Sequence, residues 1–224
     1  MSATASDTGG KFYGSTIGKK IVMAVTGAFL VLFLVGHVAG NLQILSGKEK
    51  INHYAELLHS SAGLLWGFRL ALIASVVLHV KAALELYTLK NAARPIAYAK
   101  KAHRVATLAS RFMIWSGYVL GAFLVFHILH FTTGQAHPSF DAHGDVFRNV
   151  TTAFQNPAVA ALYVVCMGLV GLHLSHGLFS FTQSLGLSHP SYSARAKTLA
   201  KVVAFAVAAA FAAVPIAVLA GFVK

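Results

Sequence analysis

Histidines placed inside apolar runs are the residues of this chain that could do chemistry. One such run, residues 161–181, holds two histidines and no aspartate, glutamate, lysine or arginine. That run holds His173 and His176. Three further runs share the pattern and hold His37, His79, and His127 with His130. Neutral imidazole is a common metal ligand. An ionisable residue in a membrane-length run is costly to leave without a partner and indicates a functional site.

Five apolar runs are long enough to position these histidines within a bilayer, which takes about 20 apolar residues per helix. They predict helices over residues 17–45, 64–89, 111–133, 158–184 and 199–223. With 57% hydrophobic and 11% charged residues among 224, the chain is predicted to be an all-α integral membrane protein with one membrane domain. We expect the first four helices to form a bundle. The N-terminus has no apolar core before Ile21, so no cleavable signal peptide is predicted.

The net charge of +12 is distributed in a way that favours a membrane topology over nucleic-acid binding. Basic residues collect before the first run, between the second and third, and in the fourth connection, where Arg195, Lys197 and Lys201 lie. The first and third connections are nearly neutral. The positive-inside rule then predicts the N-terminus inside and the C-terminus outside.

A single cysteine, Cys166, limits the cofactors that the chain could bind. It excludes an iron–sulfur site built from four cysteines of this chain. It also excludes the Cys-x-x-Cys-His attachment of a c-type haem. Any haem would therefore be held by axial ligands and packing alone.

The depth of each histidine follows from the alternating direction of the helices. His37 and His127 lie roughly 12 and 9 Å from the outer ends of their runs, at 1.5 Å per residue, and so share a level. His79 and His173 share a deeper level, roughly 15 Å from the inner ends. Paired imidazoles on facing helices are what a six-coordinate haem iron needs. Two stacked haems b would provide an electron path across the bilayer.

Two alternatives stay open on the residues themselves. His130 and His176 each follow a candidate ligand by three residues, so either member of each pair could be the ligand, the other then bonding a propionate or a quinone. A metal transporter is a rival function. It would gather histidines and acids at one midplane site, yet no aspartate or glutamate lies in the middle of any run.

Seven short segments, taken in their order along the chain, resemble the five-helix, di-haem cytochrome b subunit of succinate:quinone and fumarate:quinone oxidoreductases. The resemblance extends over nearly the whole chain. The segments are residues 15–20 (STIGKK), 24–27 (AVTG), 36–42 (GHVAGNL), 52–55 (NHYA), 115–117 (WSG), 126–130 (FHILH) and 172–178 (LHLSHGL). The resemblance implies that His37 pairs with His127 on an outer haem and His79 with His173 on an inner one. Some members of the family carry a glutamate two residues before the fourth ligand, where this chain has Gly171, so a proton path through that glutamate is not expected here.

The resemblance also implies a setting in a bacterial inner membrane. The subunit would anchor a flavoprotein and an iron–sulfur subunit on the inner face and exchange electrons with quinone, usually menaquinone. It would take part in succinate dehydrogenase or fumarate reductase activity without a succinate site of its own, and the complex could form a higher oligomer. The runner-up is the cytochrome b subunit of a hydrogenase or formate dehydrogenase.

Less specific signals suggest where further ligands bind. An outer quinone site is predicted from Glu56, His59, Arg69 and His130. Contacts to haem propionates are predicted for Arg69, Ser110, Arg111 and His176.

Lys100, Lys101 and Arg104 are expected on the docking face. Lys81 and Glu85, four residues apart, are expected to pair, and His137 and His143 to lie on a solvated loop.

Overall fold

The structure is a computed structural model that describes residues 12–93 and 107–224. Its described part contains helices and no strands. The helices are α1 (Thr16–Asn41), α2 (Lys48–His59), α3 (Ala62–Ala92), α4 (Leu108–Arg111), α5 (Met113–Phe131), α6 (Val146–Phe154), α7 (Pro157–Ser184) and α8 (Pro190–Leu219). A 3₁₀ helix, Leu42–Ser46, extends α1. Lys100, Lys101 and Arg104 lie outside the described residues.

Five of these helices, α1, α3, α5, α7 and α8, are long and apolar enough to cross a bilayer. The prediction of an all-α integral membrane protein is thereby confirmed. Along the most apolar stretch of α3 no residue is buried within the protein. Such a surface is stable only in an apolar medium, because leaving it in water costs about 25 cal/mol per Å² of apolar area.

Capping residues, rather than the ends of the apolar runs, determine where the last two helices begin. The Asn156 side chain accepts hydrogen bonds from the backbone N–H groups that open α7. The ring of His189 accepts from Ser191 N at 3.3 Å, and Pro190 occupies the first turn of α8. The predicted bounds 199–223 were therefore wrong for α8. The basic residues placed in the preceding loop belong to its first turns.

Packing among the helices defines a four-membered ring with one helix outside it. The α7–α8 interface is the most extensive and α1–α3 the next, while α1 and α5 both pack on α7. Helices α3 and α5 touch at few positions, which closes the ring loosely. Helix α1 thus faces α5, and α3 faces α7, across the interior. Helix α8 lies outside the ring, against α7 and α1.

We call the end of the bundle that carries α2 and α6 the loop end. Asp145 caps α6 by accepting from Arg148 N, and its carboxylate also accepts from Lys48 Nζ at 2.7 Å and Asn52 Nδ2 at 3.1 Å. The loop predicted as solvated is therefore partly folded. His137, expected at the surface, is 6% exposed because it bonds the backbone of Asn149 in α6. His143 is exposed, as predicted.

The opposite end, where α1 and α8 begin, is the basal end, and an ion pair there connects α1 to α3. Lys19 Nζ lies 2.6 Å from the Glu85 carboxylate. Lys81 lies instead over the ring of Tyr13, with Nζ 5.4 Å from the ring centroid. The expected pairing of Lys81 with Glu85 was wrong, because α1 brings a closer cation to that carboxylate.

Candidate functional site

The loop level of the site consists of His37 from α1 and His127 from α5. Their ring centroids are 5.9 Å apart and the rings are nearly perpendicular, at 84°. With bonds of about 2.0–2.1 Å, the usual zinc–imidazole length, two imidazoles that share one metal ion have centroids on the order of 6 Å apart. The spacing between these two histidines therefore fits a metal ion bound between them.

Aromatic side chains hold both rings of the loop level in place. Phe33, one turn earlier in α1, stacks on His37 with centroids 5.2 Å apart, and Phe211 of α8 approaches the same ring at 5.7 Å. Phe123 and Phe131 flank His127 at 6.0 and 5.8 Å. This apolar setting excludes water from around the imidazoles, so a ligand here would be surrounded by hydrocarbon.

At the basal level, the backbone of α1 determines which nitrogen of His79 carries the proton. Its Nδ1 lies 3.1 Å from Met23 O and 3.4 Å from Thr26 Oγ1. Because a carbonyl oxygen only accepts hydrogen bonds, Nδ1 is the protonated nitrogen and Nε2 keeps a free lone pair. Gly27 makes this approach possible, since a Cβ there would lie 3.1 Å from His79 Cε1.

His173, also basal, has a hydroxyl partner where His79 has a carbonyl. Its Nδ1 lies 3.1 Å from Ser116 Oγ, which also lies 3.0 Å from Met113 O as a donor. With the serine proton on Met113 O, Ser116 Oγ is an acceptor for Nδ1–H, the arrangement that leaves Nε2 free. The contacts of His79 and His173 lie near the starts of α1 and α5, so both histidines lie basal to the loop level.

The two additional histidines differ in their surroundings. His130 is 1% exposed, and its Nδ1 lies 3.0 Å from the hydroxyl of Tyr163. Its ring packs on Phe126 and Phe131 rather than against α1. His176 is half-buried. The histidine of α5 that meets His37 is thus His127.

The residues predicted to bind quinone lie at the loop end without forming one cluster. Glu56 and His59 are exposed on α2, and His59 Nδ1 lies 2.7 Å from Ala55 O. Arg69 lies over the ring of Trp66, 5.1 Å from its centroid. Among the described residues, no hydrogen bond or ring contact joins Glu56, His59 or Arg69 to His130. Their assembly into one site stays a prediction.

Two residues predicted to bind propionates lie in the short helix before α5. Ser110 donates its hydroxyl to Thr107 O at 2.8 Å, and Thr107 in turn caps this helix through Ser110 N. Arg111 is exposed in the last turn. Both lie toward the basal end, on the side of His173.

Sequence reasoning missed the hydroxyl groups that bind the histidines. Ser116 lies in the WSG segment, where it was given no role, and Tyr163 sits in an apolar run and bears no motif. A usable signal was available, since each hydroxyl lies at the depth of a histidine on a neighbouring run. That coincidence becomes meaningful only when the neighbouring helices are known.

No protein-family model, curated protein or solved structure matches the chain.

The site as a whole offers imidazoles at two levels of one apolar bundle. In the described part of the chain, no three His, Cys, Asp or Glu side chains come together to hold one ion. Beside His37, a Cβ added at the exposed Gly36 would meet no described heavy atom within 4 Å. His37 and His127, on two facing helices, could together hold the metal of a cofactor.

Proposed function

We propose that the chain is the haem-b electron-transfer and membrane-anchor subunit of a succinate:quinone oxidoreductase. The observation that carries the proposal is the His37–His127 pair. Two imidazoles on facing membrane helices, with centroids 5.9 Å apart, match the spacing needed for bis-histidine ligation of one iron. Haem b, when bound, supplies reversible one-electron chemistry at that iron.

The basal level supports a second haem of the same kind. His79 and His173 lie on the other facing pair of helices, and each presents a neutral ring with Nε2 unprotonated. Metal-bound histidines almost always donate their other ring N–H to a protein oxygen, which fixes the tautomer and the ring orientation. Two such levels in one bundle would connect its two ends for electron transfer.

The assignment to a succinate:quinone oxidoreductase in particular rests on the seven sequence segments that resemble this family. They favour a complex in which a flavoprotein and an iron–sulfur subunit dock at the basal end and electrons pass to quinone, with menaquinone the expected type. The same reasoning favours a bacterial inner membrane with the basal end inside. Under this proposal the chain contributes electron transfer and anchoring to succinate dehydrogenase or fumarate reductase, and other subunits contribute the succinate site.

The proposal is tested by a pyridine haemochrome assay on the purified chain and on its histidine variants. We expect two haems b per chain, and one in His37→Ala, His127→Ala, His79→Ala or His173→Ala. His143→Ala, which changes an exposed loop histidine, is the control and should keep both. A natural protein without haem, or a His37→Ala variant with both haems, would show that the proposal is wrong.

The type of complex is decided by the proteins that co-purify under mild detergent. A succinate-oxidising flavoprotein whose substrate reduces the haems would support the proposal. A hydrogenase or formate dehydrogenase subunit in its place would assign the chain to the runner-up class.

For quinone we propose a loop-end site that uses Glu56 or His59 as the proton-exchanging group, with Arg69 and His130 nearby. Both Glu56 and His59 are exposed at the end of α2, on the side of the His37–His127 level. Glu56→Gln and His59→Ala should slow quinone-coupled turnover and leave haem content unchanged. Glu49→Gln, which alters an exposed carboxylate in the first turn of the same helix, is the matched control. Normal quinone turnover in both test variants would move the site to the basal level.

A further inference from the structure

Helices α5 and α7 exchange hydroxyl–histidine contacts in both directions. At the basal level, α5 provides the hydroxyl of Ser116 and α7 the imidazole of His173. At the loop level the roles are reversed, because α7 provides Tyr163 and α5 provides His127. We propose that Ser116 and Tyr163 are positioning residues, each of which fixes the tautomer and orientation of one level's histidine. This inference rests on the proposed function.

Ser116 is well placed for this role because a backbone carbonyl of its own helix can accept its proton. The residue is 5% exposed, so water does not compete for its hydroxyl. Its proton goes to Met113 O in its own helix, which makes Oγ an acceptor for His173 Nδ1–H at 3.1 Å. In an apolar interior an unpaired imidazole N–H is destabilising, so a hydroxyl that accepts from His173 favours the Nδ1–H tautomer.

Tyr163 is held between two histidines and has one proton to give. Its oxygen lies 3.0 Å from His130 Nδ1 and 3.4 Å from His127 Nδ1. We assign the hydroxyl proton to the shorter contact, with His130 Nδ1 as its acceptor. Under this assignment the oxygen accepts from His127 Nδ1–H, and His127 Nε2 is unprotonated. Tyr163 thus connects His130 to His127.

The aromatic cluster of the loop end keeps the Tyr163 ring in one orientation. Phe123 and Phe154 each pack on this ring with centroids 5.0 Å away, and Phe131 packs on it at 5.6 Å. Tyr163 itself is 6% exposed. Because the ring is enclosed by packing, Tyr163→Phe removes the hydroxyl and leaves the shape of the cluster intact.

Each of the two hydroxyls should therefore influence the histidines of one level only. An oxygen that accepts from Nδ1–H raises the basicity of Nε2 and so favours the oxidised form of a metal bound there. Removal of that oxygen should therefore raise the midpoint potential of one haem and leave the other unchanged. Tyr163 would act on the His37–His127 level, and Ser116 on the His79–His173 level.

The test is a spectroscopic redox titration of the haem-loaded protein, together with electron paramagnetic resonance of its low-spin ferric signals. Tyr163→Phe and Ser116→Ala should each keep two haems. Each should move one component to higher potential and change one low-spin signal, and the component moved should differ between the two variants. We expect at least a threefold change in the oxidation equilibrium, where tenfold is about 59 mV for one electron. Ser116→Thr, which restores a hydroxyl, should return the basal component toward its natural value.

Two matched controls separate positioning from general packing. Ser175 is a buried serine of α7 whose hydroxyl donates to Leu172 O of its own helix and, within residues 12–93 and 107–224, to no other group, so Ser175→Ala should move neither component. Tyr118 is an exposed tyrosine of α5, 52% exposed, and Tyr118→Phe should likewise have no effect. Equal shifts of both components in Tyr163→Phe, or no shift in either test variant, would overturn the inference.

Failure of this inference is distinguishable from failure of the proposed function. If the natural protein bound no haem, the proposed function would fall. The hydrogen bonds would still be testable by ¹⁵N resonance of the imidazoles in the haem-free protein. We expect the Nδ1–H tautomer at His127 and His173, with loss of a single tautomer at His127 in Tyr163→Phe. An Nε2–H tautomer at both histidines in the natural protein would overturn the inference by itself.

Discussion

At the scale of residues, the position of His79 depends on a small neighbour that the apolar pattern does not reveal. His79 approaches the backbone of α1 because position 27 has no side chain, and a Cβ there would lie within 3.1 Å of the imidazole. Real Cβ contacts this short are uncommon, so any larger residue must move the ring. The glycine determines where the imidazole lies, and Met23 O determines its tautomer.

We predict that Gly27→Leu displaces the His79 ring. Under the proposed function, it should weaken haem binding at the basal level by about 10- to 100-fold, the range found when a partner of a metal ligand is lost. The loop-level haem should remain. Gly67→Leu in α3 is the matched control, since its added Cβ would meet no described atom within 4 Å. Haem content and potentiometry measure the outcome, and two intact haems in Gly27→Leu would contradict the prediction.

At the scale of elements, two polar connections join the helices at opposite ends of the bundle. At the loop end Asp145 joins α6 to α2. The hydrogen bond from Lys48, helped by those from Arg148 N and Asn52, lowers the pKa of the Asp145 carboxyl from 3.8 to about 2. Because its pKa is lower in the folded than in the unfolded state, this carboxylate stabilises the fold above pH 3.8, and the contribution is lost as the pH falls toward 2.

We predict that Asp145→Asn keeps the cap of α6, because asparagine caps as well as aspartate, but loses the charged contact to Lys48. Its stability deficit relative to the natural protein should be largest near neutral pH and shrink as the pH falls from about 4 to about 2. Asp145→Ala should also lose the cap, worth about 1 kcal/mol. Unfolding in detergent across this pH range measures both effects. A deficit that is constant with pH would contradict the assignment.

At the basal end, the Lys19–Glu85 pair joins α1 to α3, and the side chain of Lys19 is only 12% exposed. Removal of Glu85 leaves this ammonium group without its partner in an apolar setting, which is costly. We predict that Glu85→Ala lowers the melting temperature by about 2–4 °C, a shift typical of a moderate destabilisation in a chain of this size. Lys81→Ala, the control on the same helix, should change it less. A double-mutant cycle with Lys19→Ala measures the coupling, and additive effects would contradict it.

At the scale of the whole molecule, the histidine-free helix α8 supports the bundle from outside through its contact with α7. The contact is close because α8 presents small residues such as Ala204 and Ala208, both buried. A Cβ at Gly171 would lie 2.9 Å from Phe205 Cδ1 and 3.2 Å from Ala208 Cβ. Position 171 is therefore filled by α8, so a glutamate there would need α8 to move.

We predict that Gly171→Leu pushes α8 away from α7 and costs about 1–3 kcal/mol of unfolding free energy, the usual range for overpacking. Gly168→Leu, one turn earlier, is the control, because a Cβ there would meet no described atom within 4 Å. Thermal unfolding in a fixed detergent compares the two. Equal stability of the two variants would mean that α8 does not depend on the close approach at Gly171.

The sequence by itself determined the class of the protein and the candidate ligands. A long apolar run indicates a membrane helix, because within lipid only a helix or a closed barrel satisfies all of its backbone hydrogen bonds. Histidines within such a run are unusual and therefore easy to identify as candidate ligands. The alternation of helix direction then placed His37 with His127, because depth depends only on distance along the chain. Helix ends were less predictable, as at Pro190, because caps operate outside the apolar run.

Only the tertiary structure decided what depends on rotation about the helix axes and on contacts distant in sequence. His127 and His130 differ by one turn, and the packing of α5 on α7 directs His127 to His37 and encloses His130 beside Tyr163. The partner of Glu85 lies on another helix, and the burial of His137 depends on α6 folding back over the loop. Such contacts cannot be read along one chain segment, because each needs the side chain of a second element brought to it by the fold.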